Sequence, residues 1–485
     1  MGNEVSSQLQ TEGKVNGRPV TFTIKQSEDG NELTWQEHKH DSSHSIAKKD
    51  MIAVLPIHAQ VPDDYTILYV ATNPAAKDDP KASPVIFQHI IATTLPPSFI
   101  AAYQPPGNAC WQLRQDAGSL PNLHVIVSLG SGTGQAESVW NSLFKPMLQH
   151  VCPKADKYTV HFTDSESSVT ALTKNVLLPA ANEGKAQAVI LLSGDGGLVD
   201  IIDGLLSAKR LSQYRKLNVA LLPLGTGNAL AHSTGITTDN TLGLRNLLQG
   251  IPRDLPLFRV TFSPGARLLV NGAREERQLG TVDGQPTSYG AVVCSWGFHA
   301  ALVADSDSAE YRRHGAERFK MAANEALYPA DGKGPHAYRG QVSMMQAASA
   351  GGSGGVKKKG WQTLDRQEHA YVLATPVSQL EQGFTISPAS RPMDGKLRLV
   401  HFGALGGDEC MEIMKQAYDG GRHTTHPGVG YEEIEALRIQ FQESEARWRR
   451  VCVDGRIVRV EEGGWVEVRG GVGGVVDLIL AAPEL

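Results

Sequence analysis

Cysteine is scarce in this chain, with five in 485 residues. Cys110, Cys152, Cys294, Cys410 and Cys452 are scattered, odd in number and without Cys-x-x-Cys spacing. That spacing argues against a disulfide framework or a zinc site and for a reducing compartment. A basic excess is missing too. Lys and Arg total 46 against 51 Asp and Glu, a formal net charge of -5, which argues against a general nucleic-acid binder. No run approaches the ~20 apolar residues that span a bilayer. Met1–Gln10 is polar, so no secretory signal is expected and a cytoplasmic protein is. His38, His40 and His44 sit in a polar Ser/Lys/Asp stretch with no further ligand set, which favours a solvated loop over a metal site. The chain length predicts two or three domains.

Glycine, by contrast, is plentiful and placed. In Leu191–Leu206, LLSGDGGLVDIIDGLL, an apolar run ends in Ser193-Gly194-Asp195-Gly196-Gly197 and passes into a helical pattern. Bare backbone N–H groups of such a turn can cradle phosphate. Asp195 in its middle could accept a proton from a hydroxyl or hold magnesium, and both roles belong to phosphoryl transfer. Two similar units flank it in sequence. NVALLPL runs into Gly225-Thr226-Gly227-Asn228 and then ALAHS, and HVIVSL runs into Gly130-Ser131-Gly132-Thr133-Gly134 and a helix from Gln135. Three strand–glycine turn–helix units predict a doubly wound α/β sheet with its ligand at the carboxyl ends of the strands.

SGDG followed by Asp200 and Asp203-Gly204, then LPLGTGNALA, resembles the catalytic domain of the diacylglycerol kinase and sphingosine kinase superfamily. Asp200 stands for the family's Glu, Asp203 for its Asn, Ser128-Leu129 for an Asn-Pro and Gln135 for a Lys. Ser295-Trp296-Gly297-Phe298, then Asp305-Ser306-Asp307 and Tyr311-Arg312-Arg313-His314-Gly315-Ala316-Glu317-Arg318-Phe319, is similar to a block of the sphingosine and ceramide kinases. Met393-Asp394-Gly395 and Val453-Asp454-Gly455 extend the resemblance, which runs from about Leu123 to Arg456. Arg456 stands where the family has a Glu.

The resemblance implies an ATP-dependent lipid kinase that uses Mg2+ and meets its lipid at a membrane surface. A sphingoid long-chain base is the first expectation, with diacylglycerol or ceramide next. The alternative is a catalytically weak lipid-binding relative, to which Arg456 and the altered first loop would point. By resemblance Asp195 is catalytic, and Asp195 and Asp454 hold the metal. Gly130, Ser131, Gly132, Thr133, Thr163, Ser193, Gly194, Gly196, Gly225, Thr226, Gly227, Asn228, Arg312, Arg318 and Asp454 are expected around the nucleotide, with Asn228 bracing its loop. Trp296, Phe298 and Asp305 are expected at the substrate. The head-group acid of the family aligns with Val303, beside Ala301, or with Asp305, depending on which end of the block is matched.

Outside these motifs, residues 1–118 read as a polar tail and a small β-rich extension, either a lipid-binding module or a unit packed on the kinase core. Residues 119–255 read as the α/β ATP-binding domain and 256–485 as a mainly antiparallel β-sandwich that holds the acyl chains. Ala347–Gly360, AASAGGSGGVKKKG, reads as a surface loop. Met1-Gly2-Asn3-Glu4-Val5-Ser6 matches the acceptor pattern for myristoylation at Gly2, which would add a reversible anchor.

Overall fold

The computed structural model describes residues 10–481, apart from 28–29, 39–41, 58–62, 107–121, 152–157, 308, 313, 315–316 and 348–359. Gly2, Cys110, Cys152 and nearly all of the Ala347–Gly360 segment lie outside the described residues.

Six strands make the central sheet, in the order Ile251–Asp254, Val476–Leu480, Leu217–Pro223, Gln187–Ser193, Asn122–Val127 and Tyr158–Phe162. The last five run parallel, and Ile251–Asp254 is antiparallel to Val476–Leu480. Strand Gln187–Ser193 is buried along its whole length, as its unbroken apolar run demands of a strand covered on both faces. Its side chains alternate. Val189 and Leu191 face the helix Asp195–Leu206 through Leu198, Ile201 and Leu205. Ile190 and Leu192 face Val139, Trp140 and Leu143, and the helix Leu244–Gln249 through Leu247. Helices on both faces of parallel strands give the doubly wound layout, and each fully buried Leu or Ile contributes roughly 1.5–3 kcal/mol.

The extension is a seven-stranded antiparallel sheet between Gln10–Val15 and Val85–Thr93, in which the first strand pairs with both the second and the seventh. The helix Pro97–Tyr103 closes its core with Phe99 and Tyr103. The opposite face, Ile52, Ala53, Leu68 and Val70, joins the core of the central sheet beside Trp140 and Leu247. Arg245 Nε donates to Met51 O at 2.9 Å and Gln249 Nε2 to Ile52 O at 2.7 Å across that seam. The extension therefore packs on the central sheet.

From Leu257 on, fourteen strands form one continuous sheet in which every pairing is antiparallel, and Gln379–Glu381 and Phe384–Thr385 make a separate two-stranded sheet. The expectation of two stacked sheets differs from this in one respect. Strand Leu397–Gly403 pairs with both Glu368–Thr375 and Val429–Phe441, and Tyr338–Gln346 also joins those two. These four strands close a ring, so the ladder curls round its core instead of splitting. Trp296, Phe258, Phe262 and Phe441 fill that core. Val476–Leu480, at the end of the range 256–485, leaves this sheet and hydrogen-bonds into the central one.

Candidate functional site

The three glycine turns meet at the carboxyl ends of the parallel strands, and small side chains are what let them touch. A Cβ on Gly225 would lie 2.5 Å from Gly194 Cα, and one on Gly194 would lie 2.7 Å from Gly225 Cα. Gly132 has φ +54°, and a Cβ there would meet Leu224 O at 2.1 Å. Gly194 N donates to Ser131 Oγ at 3.0 Å, tying the first turn to the second. Asn228, itself at φ +51°, accepts from Gly225 N and donates to Gly225 O, both at 2.8 Å. Its amide braces its own turn. Thr163 Oγ1 likewise accepts from Leu129 N at 3.1 Å, bracing the first turn from the neighbouring strand end.

A cleft of about 2060 Å³ opens between these turns and the antiparallel sheet. Ser131, Gly132, Ser193, Gly194 and Gly196 line it, as do Gly225, Thr226, Gly227 and Asn228. Gly130 and Thr133 stand on the exposed outer side of their turn.

Asp195 opens the helix Asp195–Leu206 and lines the cleft. Its Oδ2 accepts from Ala229 N at 2.6 Å and its Oδ1 from Leu230 N at 3.2 Å, so it also caps the helix Ala229–Ser233. Burial pushes its carboxyl above the ordinary range while those two N–H groups pull it back. Asp454 faces the same space from the hairpin between Arg450–Val453 and Arg456–Arg459, with φ +48°. Its carboxylate accepts from Ala291 N at 2.6 Å, Val292 N at 3.0 Å and Val293 N at 2.6 Å. Burial pushes it up to about 7 against those three donors, and the charge of Asp195 adds to the rise.

Arg456 bridges the two walls. Its Nη2 meets Asp200 Oδ1 at 2.6 Å and its Nη1 pairs with Asp203. The guanidinium fork thus spans two carboxylates one helical turn apart, a geometry that arginine suits and lysine does not. The positive charge at 456 is answered by the second acid at 203, a pairing that the sequence did not announce because 253 residues separate the two (456 minus 203).

The other expected residues divide. Phe298 and Arg318 line the cleft, and Arg318 pairs with Asp307 at 3.6 Å. Trp296, expected at the substrate, is fully buried in the antiparallel core instead. Its Nε1 donates to Trp448 O at 2.8 Å and its ring stands edge-on to Phe441. The reason is local: Trp296 lies on a strand, and Gly297, at φ +93°, turns the chain so that Phe298 faces the cleft. Asp305 is turned off the cleft towards Arg450 at 2.8 Å and Arg447 at 3.1 Å, whereas Val303 lines it and Ala301 is core. Arg312 ends the short helix Ala309–Arg312, and its side chain lies outside the described residues.

Sequence reading missed His299 and Tyr371, which line the inner cleft, and the apolar group of Leu380, Phe384, Met411 and Met414. Among the described residues no group of three or more His, Cys, Asp or Glu could hold a metal ion, and no helix is long and apolar enough to cross a membrane.

Residues 122–260 match the family described as the diacylglycerol kinase catalytic domain. The chain is similar to sphingosine kinase 1 of Homo sapiens, 23% identical over 363 residues that cover 69% of this chain and 85% of that protein. It is also similar to sphingosine kinase 2 of Arabidopsis thaliana, 23% identical over 359 residues, 68% of each chain. Among solved structures it is similar to a putative diacylglycerol kinase from Bacillus anthracis str. Sterne, at 12% identity and a TM-score of 0.49, over 76% of this chain and 98% of that one.

Proposed function

From the premise that the chain carries a diacylglycerol kinase catalytic domain and is a lipid kinase, a phosphotransferase, we propose that it moves the γ-phosphate of ATP to a hydroxyl of a long-chain lipid. The observation that carries this reading is the convergence of three glycine turns on a cleft in which Asp195 and Asp454 face each other. Phosphoryl transfer asks little covalent chemistry of the protein and much positioning and charge stabilisation.

In this reading the triphosphate lies along Gly132, Gly194 and Gly225, with the Ser193 and Thr226 hydroxyls beside it. The lipid oxygen bonds to the γ-phosphorus as the bridging bond to the β-phosphate breaks, and ADP leaves. The acceptor's proton passes to the Asp195 carboxylate, whose raised proton affinity suits that task. Arg318 offsets charge on the phosphoryl oxygens. Arg456, held by Asp200 and Asp203, fixes the spacing of the two walls. Mg2+ binds through one or two carboxylates and is otherwise completed by phosphates and water. Asp195 and Asp454 fit that need, and the ion would neutralise phosphate charge.

The acceptor class that the relatives' names support is the sphingoid and glycerolipid alcohols, met at a membrane surface by a peripheral enzyme. Transfer of radiolabelled γ-phosphate from ATP to sphingosine, dihydrosphingosine, ceramide and diacylglycerol in mixed micelles tests the reading, with the Asp195→Asn protein as blank. Label in a lipid that the mutant does not give is the expected result. Folded protein that labels none of them sinks it.

A further inference from the structure

Two hydrogen-bonding groups at the inner end of the cleft take no part in that scheme. Tyr371 is 1% exposed and stacks on Phe402 with ring centroids 5.1 Å apart. Its Oη is buried and meets no hydrogen-bond partner among the described residues. His299 stands edge-on to the same ring at 6.2 Å. Ser295 Oγ engages its Nδ1 at 2.7 Å and so fixes the ring, while nothing among the described residues holds Nε2. Both side chains line the cleft. A buried hydroxyl without a partner costs about 1–3 kcal/mol, and such a group calls for a ligand or a catalytic role.

The surroundings decide what kind of group would complete them. Phe298, Leu302 and Val303 line the adjoining wall, and none carries a charge. Asp305, the acid of the same helix, is spent on Arg447 and Arg450. No carboxylate's charge acts on either group: burial alone lowers His299, and burial with the Cys452 thiol raises Tyr371. Backbone N–H groups hold Asp195 and Asp454, Arg456 holds Asp200 and Asp203, and Arg318 holds Asp307. Lys320 holds Glu317, Tyr418 holds Glu381, and Glu166 is not free. An ammonium group placed between these two groups would lose its hydration without a carboxylate beside it. A hydroxyl beside a carbonyl loses nothing, because Tyr371 Oη can donate to the carbonyl and His299 Nε2 can bond to the hydroxyl.

We propose that Tyr371 and His299 form the head-group site for the lipid acceptor and select an uncharged head, a hydroxyl flanked by an amide or ester carbonyl, over a free amine. The inference rests on the lipid-kinase reading and departs from what the relatives' names suggest. Burial lowers His299 to about 4, so the imidazole stays neutral at physiological pH and repels no cation by itself. Selection arises from the missing counter-charge and from the two unused hydrogen-bonding groups.

The experiment measures kcat and KM for ATP-dependent labelling of a free sphingoid base, its N-acyl derivative and a diacylglycerol in mixed micelles. The wild type, Tyr371→Phe, His299→Leu and His299→Gln are compared, each with its Tm. Expected is a kcat/KM at least tenfold higher for a carbonyl-bearing lipid than for the free base, the better of the two telling amide from ester. Tyr371→Phe keeps the ring and loses only the hydroxyl, so KM for that lipid should rise roughly three- to tenfold while KM for ATP holds. His299→Leu should act likewise and His299→Gln should recover part of the loss. Preference for the free base, or a lipid KM untouched in Tyr371→Phe, overturns the head-group site and leaves the lipid-kinase reading intact. No label in any lipid removes both.

Discussion

On one wall of the cleft, three turns carry the contacts in their backbones: Gly194 against Gly225, Gly132 against Leu224 O, Asn228 looped on Gly225. On the other, the contacts run through side chains that reach far across the chain. Asp454 gathers the N–H groups of residues 291–293, and Arg456 reaches Asp200 and Asp203. The first wall is set by the absence of side chains and is local. The second is set by long-range pairing of charge and amide. A phosphate-binding surface needs exposed N–H groups and close approach, and glycine provides both. In the reading proposed above the second wall fits the lipid, and its side chains can change that fit without touching the first wall.

The largest expected effect breaks the comparison at its centre. Asp195→Asn should lower kcat for phosphoryl transfer by roughly 10²–10⁴-fold, the range of general-base loss. Its melting temperature should fall only slightly, since the amide oxygen still accepts from Ala229 N and only the longer bond from Leu230 N is lost. Retained turnover in this variant, followed by label transfer, would remove Asp195 from the chemistry. Next comes Gly225→Ala, which tests whether the glycine wall is as tight as it looks. A Cβ 2.5 Å from Gly194 Cα forces backbone apart, and such overpacking costs about 1–3 kcal/mol. Both Tm and ATP affinity should fall, the latter read by isothermal titration.

The second wall is probed by charge. Arg456→Glu sets three carboxylates together, and activity should drop about 10-fold or more with strong salt dependence, each lost charged hydrogen bond being worth roughly 1.5–3 kcal/mol. Arg456→Lys keeps the charge and loses the fork, so it should fall between Arg456→Glu and wild type. Equal activity in all three would show that the bridge is idle.

Acid tests the antiparallel sheet behind that wall. His369 is fully buried, and its proton affinity is lowered to about 4, first by burial and then by the charge of Arg366. Its Nδ1 accepts from Arg366 Nε at 3.3 Å, its Nε2 lies 3.1 Å from Gly340 O, and His401 is close by. Because the folded value lies below the unfolded one, near 6.5, its contribution is full above pH 6.5 and is lost as pH falls towards 4. The stability difference between wild type and His369→Gln should therefore shrink on acidification by about 1.4 kcal/mol per pH unit within that window. Urea unfolding at a series of pH values measures it, and a constant difference would contradict the buried neutral state. The smallest effect is expected from Trp296→Phe. It forfeits the bond to Trp448 O, worth about 0.5–1.5 kcal/mol, and should leave the KM for lipid unchanged.

What could be read from the sequence follows the same division. The turns at Gly132, Gly194 and Gly225 were legible because a strand, a glycine and a helix follow one another within a few residues. So was the bracing role of Asn228, whose partner is three residues away. Trp296 and Phe298 look alike in sequence, and strand alternation would put both on one face, yet the strand ends at the positive-φ Gly297 between them and Phe298 opens a helix that faces the cleft. The two carboxylates that answer Arg456, and the amides that hold Asp454, have no local signal. They come together only when the hairpin near Gly455 folds against a helix some 250 residues earlier and a loop some 160 residues earlier. Tyr371 was hidden for the same reason, since a tyrosine in an apolar strand reads as core.

The strand Val476–Leu480 lies between Leu217–Pro223 and Ile251–Asp254 in the central sheet. A nascent chain can therefore make every glycine turn and still lack the strand that joins those two, because the whole antiparallel sheet comes before that strand in the chain. Synthesis that stops early leaves a sheet with open edges and exposed backbone donors, material for disposal instead of a half-active enzyme. The central sheet is completed only by a chain that has already made the antiparallel one, so the two layers form as a single commitment.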